Sequence, residues 1–379
     1  MIEEYEKRTS INSAPDSTRF PLIASSIYAD EIVAAVDSVL SGQLTMGKHV
    51  REFELEFAKK VGAPFAVMCN SGSSANLLAL ATATNQARTH RLCASAEVLI
   101  PAVCWSTSLW PILQMNLKPV FVDVDPLTLN VNLTDLRAKI TGKTAAVMLV
   151  HVLGNMCNMD AVMDVCEQHR LLLIEDTCES LGSTYNGKLL GTFGSFGCFS
   201  FYFSHHITTG EGGMVVCRSQ EDADLLRCLR AHGWTRELSN KDAYHRMYPE
   251  VDSRFMFVNL GFNLRPMEIS GAIGKCQLRR LEEMNDNRIS NRAKLIDALK
   301  MHPNWAGQLR FPVGPPTSEP AWFVAAASAS KFAELPELHI TAKGAPTFLA
   351  NSSSNSLTCL PMVSCPDKTE STAATISSA

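Results

Sequence analysis

The sequence predicts an α/β protein built on a mostly parallel central sheet with a smaller C-terminal domain, and three observations carry that prediction. Several short runs are apolar throughout rather than alternating, as strands buried on both faces are. These runs alternate with segments of helical spacing, the order that lays helices over both faces of a parallel sheet. The chain, at 379 residues with 46% hydrophobic and 19% charged content, is long enough for a large core plus an appendage.

The elements follow in order. YADEIVAAVDSVLSG and VREFELEFAKKVG have helical periodicity and glycine stops, the second at Gly62. AVMCN reads as a buried strand and SSANLLALATATNQA as the helix after it. AEVLIPAV and LKPVFVDVD are strands around another helical stretch. AAVMLVHVL, MDAVMDVCEQH, RLLLIEDT and GCFSFYFS continue as strand, helix, strand, strand. EGGMVVC is one more strand, and EDADLLRCLRAHGW is helical. Helical text returns between Asn259 and Arg292. The expected division is an N-terminal segment 1–28, a large α/β domain 29–260, the start of a small domain at 261–322, and an atypical tail 323–379. Beyond Trp322 the chain is rich in Ala, Ser and Thr, has no arginine after Arg310, and shows no helical or strand period. Two readings of that tail stay open: a low-complexity segment without fixed structure, or an out-of-frame translation of an ordered domain.

Composition excludes some function classes. A net charge of −4 without a Lys/Arg-rich run argues against nucleic acid or an anionic membrane as partner. No apolar run approaches the roughly 20 residues of a membrane helix. MIEEYEKRTS reads as neither a signal nor a transit peptide. Twelve cysteines include no CxxC pair, and Cys69, Cys166, Cys178, Cys198 and Cys217 sit in apolar runs. They read as small buried hydrophobes in a reducing compartment, so the expected location is the cytoplasm.

In parallel sheets, ligands bind beyond the carboxyl ends of strands, and four such loops carry candidate chemistry. In MCNSGSSANLL, Ser71, Gly72 and Ser73 open a helix whose free N–H groups suit a phosphate, although the same residues also serve as plain caps. In IPAVCWSTSLW, Trp105 follows a strand end, placed either to stack on a flat ligand or to fill the core. In LLLIEDTCESLG a strand delivers Glu175 and Asp176, with Glu179 one turn further on. A buried carboxylate needs a cation or donors, and a protonated pyridine nitrogen would satisfy Asp176; a structural cap is the other reading. In CFSFYFSHHITTGEGGM, Ser200 and Ser204 alternate with aromatics before His205, His206 and a glycine-rich turn. Two histidines beside Gly210, Gly212 and Gly213 point to a site rather than to core packing.

The order NSGSSAN, PAVCW, IEDTCESLG, SFYFSHHITTGEGG and NLGFNLRPMEISGAIG resembles the DegT/DnrJ/EryC1/StrS family of sugar-nucleotide aminotransferases, over about residues 20 to 300. That resemblance implies a type I, aspartate-aminotransferase-like fold and a pyridoxal-phosphate cofactor. It implies that Trp105 stacks on the pyridine ring, Asp176 pairs with its nitrogen, and Gly72, Ser73 and Ser200 hold the phosphate, with Glu179 beside them. It also implies a homodimer in which Asn263 reaches the cofactor of the second subunit.

One departure changes the expected reaction. Family members that transaminate carry a Schiff-base lysine five residues after the phosphate-binding serine, and here that position is His205. An imidazole cannot make that link, so the cofactor would be held non-covalently. Lys188 precedes the strand and is a poor substitute. The exchange is similar to that in 3-dehydratases of 4-keto-6-deoxy sugar nucleotides. One type needs an iron–sulfur cluster, but no cysteine lies between Cys228 and Cys276, where the thiolates would be required. The cluster-free type implies GDP-4-keto-6-deoxymannose as substrate, glutamate as amine donor, no metal, and a role in deoxysugar and lipopolysaccharide biosynthesis. His205, with an ordinary pKa of about 6.5, would be the base and then the acid. A sugar-nucleotide aminotransferase and a catalytically impaired cofactor-fold protein are the alternatives.

Overall fold

A computed structural model describes residue 2 and residues 27–303, 305–307, 309–329 and 358–360. Two helices come first, α1 (Ala29–Leu40) and α2 (Lys48–Val61). The second ends at Gly62, whose φ of 75° is the left-handed conformation that glycine adopts freely. Strand β1 (Phe65–Cys69) leads into α3 (Gly72–Ala83), β2 (Glu97–Pro101), α4 (Ser106–Gln114) and β3 (Lys118–Val122). Next come α5 (Leu133–Ala138), β4 (Thr144–Val150), α6 (Met159–His169) and β5 (Leu172–Asp176). Two short strands, β6 (Thr184–Tyr185) and β7 (Lys188–Leu189), precede β8 (Phe196–Ser200), β9 (Gly213–Cys217) and α7 (Gln220–Arg230).

The seven-stranded sheet has the order β1-β9-β8-β5-β4-β2-β3. Only β9 runs antiparallel to its neighbours; the other pairings are parallel. The parallel strands therefore end on one edge, and the loops after β1, β2, β5 and β8 converge there. Val67, Ile100, Met148, Ile174 and Cys198 pack on one face under α3 and α7, while Leu99, Val147, Leu149 and Leu173 pack on the other under α6. Burial on both faces explains why these strands read as continuous apolar runs. Arg230 is itself 1% exposed, and it ties α7 to α2 and β1 by donating to Glu54, Glu237 and the Met68 carbonyl. The ten cysteines from Cys69 to Cys276 are free, and Cys178 is half-buried rather than buried.

Helices α8 (Lys241–Met247), α9 (Glu268–Arg279) and α10 (Leu281–Lys300) follow. The helical text expected from Asn259 begins at Glu268, after an extended segment that lies along the end of α7 through Phe262 and Leu264. Three short strands, β10 (Leu309–Arg310), β11 (Ser318–Glu319) and β12 (Ala325–Ala329), come next, and β12 pairs with β10 and with β13 (Thr358–Leu360). The expectation of no regular element beyond Trp322 therefore fails for β12. Its run of Ala and Ser offers too little contrast for a period-2 pattern, yet Ala325 and Ala326 are buried. Most of the remaining tail, and most of the segment 1–28, lie outside the described residues.

Candidate active site at the carboxyl edge of the sheet

Asp176 ends β5 and is buried. Its Oδ2 accepts from Asn76 Nδ2 at 2.8 Å and from Ser108 Oγ at 2.7 Å, and its Oδ1 accepts from the Cys178 amide at 3.1 Å. An ionised carboxylate offers about four acceptor positions, so these three donors leave room for one more. Asn76 and Ser108 were not singled out from the sequence. Their signal is positional: Asn76 lies four residues after Gly72 on one helix face, and Ser108 is a hydroxyl in the turn after Trp105.

Around this carboxylate the other loops assemble. Ser71 caps α3 by accepting from the Ser74 amide, and Ser73 is exposed, donating to Thr107 Oγ1 at 2.9 Å. Gly72 abuts Ser200: a Cβ added there would lie 2.8 Å from Ser200 Oγ and 3.0 Å from Cys178 Sγ, and would collide with Ser200 Cβ. Glycine is required at Gly72 because the helix N-terminus and the end of β8 approach that closely. Trp105 is 68% exposed, which rules out the core-filling reading and leaves its ring free to stack. Glu179 accepts from the Leu153 amide at 2.7 Å, and burial pushes its carboxyl up to about 7.

The expected strand over 197–204 ends early, at Ser200, and the histidines belong to the loop that follows. Phe201 still donates to the Gly212 carbonyl, but Tyr202 and Phe203 leave the sheet and are exposed. His205 is half-buried, with its ring 5.0 Å from that of Phe323 at 27°, a stacked contact. Burial pushes its pKa down to about 4, helped by the Arg288 charge and opposed by Asp176 and the Cys178 backbone. The ordinary value of about 6.5 assumed from sequence is therefore corrected downward, and the imidazole is neutral at physiological pH. Its Nδ1 is buried with no hydrogen-bond partner among the described residues.

Asn263 does not join this cluster. It is exposed, accepts from Arg265 Nε at 3.0 Å, and forms a bridge with Ala231. Lys188 lies over the Phe193 ring, with Nζ 4.3 Å from its centroid. Among the described residues, no group of three or more His, Cys, Asp or Glu could hold a metal ion, and no helix is long and apolar enough to cross a membrane.

Known proteins resemble this chain in sequence and fold. A GDP-4-keto-6-deoxy-D-mannose 3-dehydratase of Escherichia coli O55:H7 is 41% identical over 307 residues, 80% of this chain and 77% of that protein. The crystal structure of an E. coli enzyme of that name with bound hydrated PLP superposes with a TM-score of 0.77 at 37% identity, covering 84% of this chain and 80% of the other. A structure of the same enzyme type with a trapped PLP–glutamate geminal diamine gives a TM-score of 0.77 at 37% identity, over 84% of this chain and 81% of the other. These likenesses make the fold that of the PLP-dependent aminotransferases. The sequence profile of one family matches residues 26–333, and the chain belongs to that family, the DegT/DnrJ/EryC1/StrS aminotransferases.

Proposed function

We propose that this chain is a 3-dehydratase that removes the C3 hydroxyl of a 4-keto-6-deoxy sugar nucleotide, GDP-4-keto-6-deoxymannose, with glutamate as amine donor. The observation that carries this reading is His205. It stands five residues after Ser200, where the family's aminotransferases have lysine, and the relatives of this chain named above are dehydratases. The cofactor is pyridoxal 5′-phosphate and its amine form, held without a covalent bond.

The residues present fit that cofactor. Asp176 has an open acceptor position for a pyridine N–H, Trp105 has a free face for a ring, and Gly72, Ser73 and Ser200 form a cup for the phosphate at a helix N-terminus. Glu179 lies within electrostatic reach of Asp176. When bound, the cofactor supplies the amine that condenses with the sugar's C4 ketone and the electron sink through which the C3 hydroxyl departs. Asp176 keeps a proton on the ring nitrogen, with Asn76 and Ser108 fixing the carboxylate. His205, neutral in the folded protein, takes the proton from the carbon that bears the amine and passes it to the leaving hydroxyl. A lysine in that place would bond to the cofactor and return the protein to amine transfer. The sugar would leave as an enamine that hydrolyses to the 3,6-dideoxy-4-keto sugar and ammonia, and glutamate, oxidised to 2-oxoglutarate, would restore the amine form of the cofactor.

Asn263 completes the site of a second copy in a homodimer; the exposed Phe257 and Leu260 flanking it are an apolar surface that such a copy would cover. The setting is the cytoplasm, in deoxysugar and lipopolysaccharide biosynthesis. The test incubates the protein with pyridoxamine 5′-phosphate, GDP-4-keto-6-deoxymannose and glutamate. Formation of 2-oxoglutarate with a product that lacks the C3 hydroxyl is expected. A 4-amino product that retains the hydroxyl would assign aminotransfer instead, and cofactor binding without turnover would assign a non-catalytic role. His205→Lys is expected to bind the cofactor covalently, seen as a mass increase after borohydride reduction.

A further inference from the structure

His206 takes no part in the chemistry proposed for His205, yet it is 2% exposed and has an unusual set of neighbours. Its Nε2 lies 2.7 Å from the Ala321 carbonyl oxygen, so this nitrogen carries the hydrogen and donates. Its Nδ1 is buried without a hydrogen-bond partner among the described residues, which makes the ring neutral. Burial, with the charge of Arg288 adding, holds His206 well below its ordinary pKa.

The segment that His206 grips is gripped elsewhere too. The Ala321 amide donates to Ser183 Oγ at 2.8 Å, and that hydroxyl donates to the Gly154 carbonyl at 2.9 Å. The Phe323 amide donates to the Leu153 carbonyl at 3.0 Å. Gly154, at φ 84°, has no room for a side chain, because a Cβ would strike the Ala321 oxygen and lie 2.7 Å from Trp322 Cα. Arg288 then joins this segment to the histidine loop, with Nη1 donating to the Phe323 carbonyl at 3.0 Å and Nη2 to the His205 carbonyl at 3.1 Å. The product of these contacts is a fixed Phe323 ring, stacked on His205 and 5.8 Å from His206.

We propose that His206 is a positioning residue for His205: it pins the Ala321–Phe323 backbone, and that backbone presents the ring against which His205 is oriented. The proposal rests on the reading of His205 as the reacting base. A lysine in that slot is oriented by its bond to the cofactor, whereas an imidazole with no covalent tether must take its orientation from packing. A misplacement of about 1 Å can cost roughly a hundredfold in rate, so the platform matters to turnover more than to binding.

Two variants at His206 and one at Phe323 test this in the holoenzyme. His206→Gln keeps an N–H donor within reach of Ala321 and is expected to hold kcat within about threefold of wild type. His206→Leu removes the donor and is expected to lower kcat about 10- to 100-fold, with KM for the nucleotide sugar and cofactor affinity changed by no more than about twofold. Phe323→Leu is expected to do the same, and the double variant to be no more than about threefold worse than the poorer single, since both act through one ring. A second readout uses the cofactor-free protein and follows the His205 imidazole by NMR. The charged and titratable groups facing it are Asp176, Arg288, Cys178, His206 and Tyr202. In wild type the ring stays neutral down to about pH 4; in His206→Leu and in Phe323→Leu its titration is expected to move up toward about 6.5 as the ring loses its cover.

Equal damage from Gln and Leu, additive losses in the double variant, or an unchanged His205 titration in His206→Leu would each overturn the proposal. Were His206→Leu to fail to fold, activity retained by His206→Gln and lost in Phe323→Leu would support it, and loss in Gln or retention in Phe323→Leu would sink it. Wild-type turnover by His205→Gln would instead remove the reading of His205 as the base, and the NMR titration would still report whether His206 positions it.

Discussion

On β5, Glu175 and Asp176 point to opposite faces of the sheet, as consecutive strand residues do. Glu175 is fully buried and takes four donors: the amides of Gly191, Phe193 and Gly194 at 2.7–2.9 Å, and His151 Nε2 at 3.3 Å. Asp176, 5% exposed, takes three and keeps a position open on the side where the loops converge. Similar chemistry and similar burial thus give a saturated carboxylate that holds a turn and an unsaturated one that can hold a ligand. Hydrogen-bond capacity left over, rather than burial or residue type, separates the acid that holds a turn from the one proposed to hold the cofactor.

The largest effect should come from the unsaturated member. Asp176→Asn keeps the shape but cannot hold a proton on a pyridine nitrogen as a carboxylate does, and dehydration should fall by about 10²–10⁴. Its unfolding midpoint in urea should move little, because Asn can still accept from two of the present donors. Loss of fold without loss of activity per folded molecule would reverse the comparison. Glu175→Gln is the counterpart. A neutral amide replaces a carboxylate that serves four donors, and the protein should lose about 2–4 kcal/mol of stability by urea unfolding. Its activity per folded molecule should stay near wild type.

Much of this frame was legible in the chain. Unbroken apolar runs such as LLLIED give buried parallel strands, and such strands fix where the acids and the SFYFSHH loop must emerge. What was not legible depends on long separations. Phe323 and Arg288 shape the environment of His205, but nothing in the spacing of SFYFSHHITTGEGG announces a stacking partner or a cation from a helix 83 residues away. The downward shift of His205 was invisible for the same reason, since burial is contributed by those distant groups. Asn76 and Ser108 carry no signal of their own, because a neutral side chain near a helix start reads equally well as helix packing or as a cap. β12 was missed because alanine marks neither face of a strand.

Glu179 offers a graded version of the same contrast. Its carboxyl is raised to about 7, by burial first, with the Leu153 amide opposing and Asp176 adding. A raised carboxyl pKa means that the folded state holds a proton which the unfolded chain releases near 4.5, so stability declines as pH climbs from about 4.5 to about 7. Glu179→Gln keeps the acceptor for Leu153 and never ionises. In the cofactor-free protein it should match wild type at pH 4 and exceed it by about 3 kcal/mol at pH 8. A constant difference across that range would mean that Glu179 is already charged in the fold.

The smallest effect belongs to the residue with the least protein around it. Trp105 is 68% exposed and precedes α4 with no side-chain cap bond, so Trp105→Ala removes little that the folded chain uses. Its unfolding midpoint should stay within about 0.5 kcal/mol of wild type. If the ring stacks on the cofactor, the loss appears in binding alone. Stacking beyond plain area burial is about 0.5–1.5 kcal/mol, which is roughly a 2- to 12-fold weaker dissociation constant for pyridoxamine 5′-phosphate by fluorescence titration. Trp105→Phe should recover most of that loss, since a flat apolar face remains. A variant that loses stability but binds cofactor normally would class Trp105 with Glu175, as a side chain the fold consumes rather than one it holds open.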